Sequence, residues 1–345
     1  MQKIALVGLG FMGTMHAQIY AQLKNATLSA VVDKDKAKAK ASLAKLGLSA
    51  PVFGTLKEAL KAADVDVVDI CLPTDLHAAF ALEAIAARKH VFCEKPIALT
   101  NAEAKKIGMA AKKAGVFLQV GHCIRFWPEY QALEKFVKSR KAGRLISLTM
   151  QRRGGRPGYS VDNWLNNGKR SGGAALDLHI HDTDFVHHLL GRPRAVTSVG
   201  TKDKTGWSHI FTTYHFPQVA VTAEGGWNYP ANWGFQMAFQ AVFERGAVEY
   251  DSGASPSLTV TMGNGPKEAL AFANPGAGES STGAGNISSL GGYFNELEAF
   301  ISSLERKRAP KIATVDQDAE SLATVLAEIQ SAKTGRTVKI SQRPS

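Results

Sequence analysis

The sequence predicts an α/β N-terminal domain on a doubly wound parallel sheet, residues 1–122, followed by an α+β C-terminal domain with an open, mainly antiparallel sheet, residues 123–345. Three observations predict it. A chain of 345 residues is long for a single core. Up to about residue 122, short apolar runs alternate with helical patterns, which builds parallel strands joined by helical crossovers. Beyond Arg194, runs rich in Val, Thr, Phe, Tyr and Trp succeed one another without helices between them, as antiparallel strands do.

The first strand is the apolar run Ile4-Ala5-Leu6-Val7, followed after a glycine turn by a helical segment over 14–23 and a second apolar run over 28–32. Further strands are expected at 65–72, 90–93 and 116–120, with helices at 76–87 and 102–114. Thr100 with Glu103 forms a capping box for the second of these helices, and Gly115 stands where its C-terminal cap belongs. Pro128 suits the first turn of a helix running to about 141, a strand follows at 145–152, and a Gly/Arg-rich loop continues through 173. The antiparallel strands are expected at 210–216, 220–227, 235–243 and 258–262. Residues 263–292 read as a loop, and helices at 294–306 and 316–334 close the chain.

The glycine turn carries the first chemistry. Gly8-Leu9-Gly10-Phe11-Met12-Gly13 lies between a strand and a helix: Gly8 permits the tight turn, Gly10 a close approach of backbone to pyrophosphate, and Gly13 contact of helix with strand. The helix start then points free N–H groups at phosphate, as in a Rossmann dinucleotide domain. Asp33 ends the second apolar run twenty residues past Gly13, where a carboxylate accepts from the adenosine ribose hydroxyls and repels a 2′-phosphate. This favours NAD, with NADP possible because Lys34, Lys36, Lys38 and Lys40 follow at once.

Composition narrows the rest. With 45% hydrophobic and 21% charged residues the chain is globular rather than disordered. Its net charge of +11 is spread over single and paired lysines with no basic arm, which argues against nucleic acid and for a small anionic ligand. No stretch reaches the eighteen or so apolar residues of a membrane span. Cys71, Cys93 and Cys123 are too few for a disulfide framework, and the apolar start reads as a strand without a cleavage site, so a reducing cytoplasm is expected.

Three further constellations stand out. Pro73-Thr74 with His77 follows an apolar run, at the strand end that faces the ligand crevice of an open α/β sheet. Glu94-Lys95-Pro96 stands at another strand end, where a lysine could hold a substrate oxygen and stabilise charge developing on it. Asp177, His181, Asp184 and His188 fall at offsets 0, 4, 7 and 11, one stripe of a helix, and a histidine four residues from an aspartate suits a general base. His179-x-His181 resembles half a metal site, but neighbours two apart diverge on a helix and no third ligand has a recognisable spacing, so no metal is expected.

In order and spacing these motifs, with Gly121, Arg125-Phe126, Pro128-x-Tyr130 and Gly172-Gly173, resemble the glucose-fructose oxidoreductase and inositol dehydrogenase family (Gfo/Idh/MocA) over nearly the whole chain. The resemblance implies a Rossmann domain, a C-terminal domain with an open sheet, and a homodimer or homotetramer formed through that sheet's face. It implies that Lys95, Asp177 and His181 surround the reacting carbon, with His181 taking the hydroxyl proton. Gly8, Gly10, Phe11, Met12, Gly13, Asp33, Pro73, Thr74, His77, Glu94 and Lys95 would bind the cofactor, and Arg125, Trp164, Asp177, His181 and Asp184 the substrate. Two departures are visible: Arg88 stands where the family usually has glycine, and His179 replaces a common glycine, which would alter the pocket wall. The expected activity is NAD-linked oxidation of a secondary alcohol of a sugar, polyol or inositol. An NADP-dependent reductase of sugar aldehydes or ketones and a non-catalytic dinucleotide-sensing regulator are the alternatives.

Overall fold

The computed structural model of the chain describes residues 1–273 and 290–341. They divide into two compact units, one of residues 1–123, 159–164 and 290–319, the other of 124–158, 165–273 and 320–341. A single cut after residue 122, as the sequence suggests, misses that the chain re-enters the first unit twice.

In the first unit the order is β1 (Gln2–Val7), α1 (Phe11–Gln22), β2 (Ala26–Val32), α2 (Lys36–Lys45), β3 (Val52–Phe53), α3 (Leu56–Ala62), β4 (Val67–Ile70), α4 (Thr74–Ala86), β5 (His90–Glu94), α5 (Asn101–Ala114) and β6 (Leu118–Gly121). The strands form one parallel sheet in the order β3-β2-β1-β4-β5-β6. Residues of β1, β4 and β5 such as Leu6, Val68 and Phe92 are fully buried because helices cover both faces, which is why these strands read as unbroken apolar runs. Thr100 accepts from the Glu103 N–H at the start of α5, the first half of the expected capping box, while the Glu103 carboxylate takes the Thr100 hydroxyl; Gly115 closes that helix at φ +70° as expected. The short α3, unforeseen, carries a complete capping box between Thr55 and Glu58. Arg88, after α4, adopts φ +56°, so the family's usual glycine there answers a left-handed backbone.

The second unit begins with α6 (Pro128–Ser139), β7 (Leu145–Gly155) and the one-turn α7 (Gly168–Ser171). A π-helical turn (Ala175–His179) leads into α8 (Ile180–Leu190). There follow β8 (Ala195–Asp203), β9 (Gly206–His215), β10 (Ala220–Tyr229), β11 (Phe235–Phe243), β12 (Gly246–Asp251), β13 (Leu258–Met262) and β14 (Lys267–Ala269). The closing elements are α9 (Gly291–Glu305), which belongs to the first unit, α10 (Val315–Thr334) and β15 (Val338–Lys339). Nine strands form one open sheet in the order β14-β13-β12-β11-β7-β10-β9-β8-β15, antiparallel except where β10 runs parallel to β7. The expected loop at 263–292 contains β14, and its residues 274–289 lie outside the described residues. Strands β8 and β12 were not anticipated: β8 is rich in Thr, Ser and Lys, and β12 is a six-residue hairpin partner after a tight turn. Among the described residues no helix is long and apolar enough to cross a membrane.

Candidate active site

The glycine turn is built as its sequence requires. Gly8 sits at φ +89°, where a Cβ would lie 2.7 Å from the Cys71 carbonyl oxygen, and a Cβ on Gly13 would lie 1.9 Å from the Gly8 carbonyl oxygen. Nothing lies within 4 Å of the Cβ position of Gly10, so the absent side chain keeps that face clear. Helix α1 starts at Gly10 with no side-chain cap and no acid in its first turn, which leaves its positive end uncompensated. Phe11 and Met12 are half-buried, and the Phe11 ring lies 5.1 Å from that of Tyr159. Asp33 follows β2 and accepts from the backbone N–H groups of Leu9 and Asp35, both at 2.9 Å, so its carboxylate is fixed beside the turn. Lys34 pairs with Asp162, while Lys36, Lys38 and Lys40 are exposed on α2. These features fit an adenine dinucleotide: a helix N-terminus for phosphate, a side-chain-free approach, and an oriented carboxylate for ribose.

The ends of β4 and β5 carry the next groups. Pro73 precedes α4, and the buried Thr74 hydroxyl, 2% exposed, finds no partner among the described residues, a polar atom suited to a bound ligand. His77 lies inward: its Nδ1 is 2.7 Å from the Pro96 carbonyl oxygen and its Nε2 is 2.8 Å from that of Leu72, so the ring clasps the two strand ends together. Burial pushes this imidazole below its usual value, against the pull of both carbonyls. This clasp shapes the loops at the two strand ends, where His77 was expected to contact a cofactor. Glu94 is buried and Lys95 half-buried.

Behind them lies a cluster that sequence reasoning missed. His16 of α1 is fully buried, with Nδ1 2.8 Å from Asp69 Oδ2 and Nε2 3.3 Å from Glu94 Oε1. Burial opposes charge on this ring, but Asp69 and Cys71 outweigh it and raise His16 well above its usual range. A signal existed: Asp69 is a lone acid inside the apolar strand Val67-Val68-Asp69-Ile70, and such a group needs a buried partner.

In the second unit the ionisable residues of the expected stripe have different surroundings. The π turn falls between Gly173 and α8 and contains Asp177, half-buried, while His181 stands on the first turn of α8 at 8% exposure. A π turn inserts a residue into the helical register, and such turns cluster at functional sites. Asp184 is fully buried and receives a bidentate Arg125 guanidinium, Nε to Oδ2 and Nη2 to Oδ1 both at 2.6 Å, plus the Ser321 hydroxyl at 2.8 Å. Arg125 and Asp184, expected on a pocket wall, form a buried bidentate pair. His188 lies 3.4 Å from Glu134. His179 is fully buried, with Nε2 2.9 Å from Glu328 Oε2 and its ring against Gly225. Trp164, half-buried, groups with the first unit in a segment where Asp162 and Asn163 take positive φ.

A family model described as an oxidoreductase family with an NAD-binding Rossmann fold matches residues 2–122, and a GFO/IDH/MocA C-terminal domain matches 130–249. An inositol 2-dehydrogenase of Arthrobacter sp. (strain FB24) is 31% identical over 265 residues, 74% of this chain and 75% of that enzyme. The chain belongs to the Gfo/Idh/MocA oxidoreductase family. As a family member it is also similar to the 2,7-anhydro-N-acetylneuraminate hydratase of Escherichia coli K12, 31% identical over 68% of this chain and 63% of that enzyme's length. Among solved structures, levoglucosan dehydrogenase complexed with NADH and levoglucosan superposes with a TM-score of 0.84 at 20% identity, covering 99% of this chain and 100% of that one, a likeness of fold. The Gfo/Idh/MocA assignment places an NAD-binding Rossmann sheet over the first unit and the open, mixed sheet over the second.

Proposed function

We propose that the protein is an NAD-linked dehydrogenase acting on a secondary alcohol of a sugar, polyol or inositol. The observation that carries this reading is that Gly8, Asp33, Thr74 and Lys95 stand just past the carboxyl ends of β1, β2, β4 and β5, one edge of one parallel sheet whose order reverses between β1 and β4. Ligands of open α/β sheets bind at that edge and at that reversal. NAD, when bound, supplies the acceptor for the hydride. The amides at the start of α1 hold pyrophosphate, Asp33 holds the ribose hydroxyls, and Thr74 donates to the cofactor. Lys95 steadies the substrate oxygen as charge develops on it. His181 takes the hydroxyl proton, and Asp177 orients the ring and supports its charged form. Arg125 and Asp184 act on the substrate side by fixing α8, and Trp164 offers an aromatic face to the sugar.

NAD is preferred over NADP because Asp33 is locked in place by two amides and its neighbour Lys34 is occupied by Asp162. Cys71, Cys93 and Cys123 as thiols suit a reducing cytoplasm. The outer face of the nine-stranded sheet is the surface on which a second copy would pair.

The test follows nicotinamide absorbance across a panel of sugars, anhydro-sugars, inositols and sugar acids with NAD and with NADP. A substrate should emerge with NAD, and His181→Ala should lower its turnover about a hundredfold or more while NADH affinity holds. Equal turnover in mutant and parent ends the assignment of His181. Asp33→Ala should narrow the preference for NAD over NADP.

A further inference from the structure

Beneath Lys95 the first unit buries more acid than its hydrogen bonds account for. Glu296 of α9 is fully buried, and neither of its carboxylate oxygens finds a hydrogen-bond partner among the described residues. One side-chain atom each of Glu296, Glu94 and His16 lie within 4.8 Å of one another, and Glu94 Oε1 is 3.3 Å from His16 Nε2. The groups facing them are His16 and Tyr20 from α1, Asp69 from β4 with Cys71 beyond its end, His77 from α4, Cys93 and Glu94 from β5 with Lys95 beyond it, Cys123, and Tyr293 from α9 itself.

Two ionised carboxylates this close and this dry repel each other and lose their hydration, so one proton between them is the economical state, as in paired acids elsewhere. His16 decides which acid keeps its charge. Its Nδ1–H is taken by Asp69 and its Nε2 faces Glu94, so the cation sits beside Glu94 and away from no other base. Burial, then the charge of Glu94, hold Glu296 well above the usual carboxylate range, whereas His16 and Lys95 outweigh burial and hold Glu94 below it.

We infer that Glu296 and Glu94 share a single proton, donated by Glu296, and that this acid pair with His16 fixes the end of β5 and so positions Lys95. Glu296 and His16 are thus positioning residues, on the reading of Lys95 as the holder of the substrate oxygen. A carboxylic acid on Glu296 donates to Glu94 as a glutamine amide would, and an alanine cannot.

Three measurements on the full chain test this. First, a shared proton makes the folded protein hold a proton that the unfolded chain releases above the ordinary carboxylate range. Wild-type stability should therefore fall as pH rises from about 5 to 8 relative to Glu296→Gln, by up to about tenfold in the folding constant per pH unit. A stability difference flat in pH overturns the shared proton, whether or not Glu296→Ala folds. Second, Glu296→Ala should lose about tenfold or more in kcat with KM and NADH affinity changed less than about threefold, and Glu296→Gln should recover most of the loss. Equal kcat in Glu296→Ala and wild type overturns the positioning role. Third, metal analysis of the purified protein should find no stoichiometric divalent ion; an ion lost in Glu296→Gln would make the cluster a metal site and overturn the inference. Lys95→Ala with full activity would sink the role given to Lys95 and leave the pH result standing, which separates the two failures.

Discussion

Asp182, Thr183 and Asp184 are consecutive polar residues on α8, all fully buried, and each is answered differently. Asp182 meets Arg152, Thr183 meets Tyr214 and Glu328, and Asp184 meets Arg125 and Ser321. Such residues hold α8 by its inner side. Breaking one buried pair strands a charge, so Arg125→Met should destabilise the fold by about 3–5 kcal/mol in urea unfolding. His187, tied to Thr324, is pushed down to about 4 by burial, with Arg192 and Arg125 adding to the shift and Asp184 opposing it. Between about pH 6.5 and 4 the unfolded chain binds a proton that the folded one refuses, so stability falls as pH falls through that window. His187→Gln should therefore show a shallower acid limb in urea titrations at stepped pH. The sequence displayed the charged residues of α8 but not the π turn before it, which carries Asp177 outside the regular α-helix that the offsets assume. It also hid the cluster around His16, because its members are scattered from residue 16 to residue 296.

At the scale of elements, the glycines explain what the strands and turns can tolerate. Gly225 on β10 faces the π turn, and a Cβ there would lie 2.6 Å from the Cβ of His179 and 2.7 Å from its Nδ1. Gly225→Ala must displace His179 and with it the turn holding Asp177. The expected result is a loss of about 1–3 kcal/mol from overpacking, together with reduced kcat at nearly unchanged NADH affinity, read by urea unfolding and steady-state kinetics. The parallel strands were legible because burial on both faces makes them continuous apolar runs, with β1 and β5 within two residues of expectation; in the second sheet β11 and β13 fall where expected. By contrast β8 has one face in water, and its Thr, Ser and Lys residues hide it among loop-like composition.

For the whole molecule, the nine-stranded sheet buries one face and shows the other. On the outer face Val199 is 63% exposed, Phe211 48% and Val242 41%, set among Thr149, Thr213, Thr222 and Gln240. Exposed apolar residues set among polar ones, with Glu224 opposite Phe211, suit a partner surface. Phe211→Glu should therefore lower the mass measured by light scattering while circular dichroism stays unchanged; an unaltered mass would place the pairing surface elsewhere. Which residues share this face is decided by strand register, and register is not written in any one strand.

The return of α9 to the first unit carries a practical consequence. A fragment ended at residue 122 keeps the glycine turn and every parallel strand, yet it lacks the helix that supplies Glu296. Its His16 and Glu94 would then open to solvent, and the lobe expressed alone would be a poorer stand-in for the coenzyme half than its complete set of strands suggests.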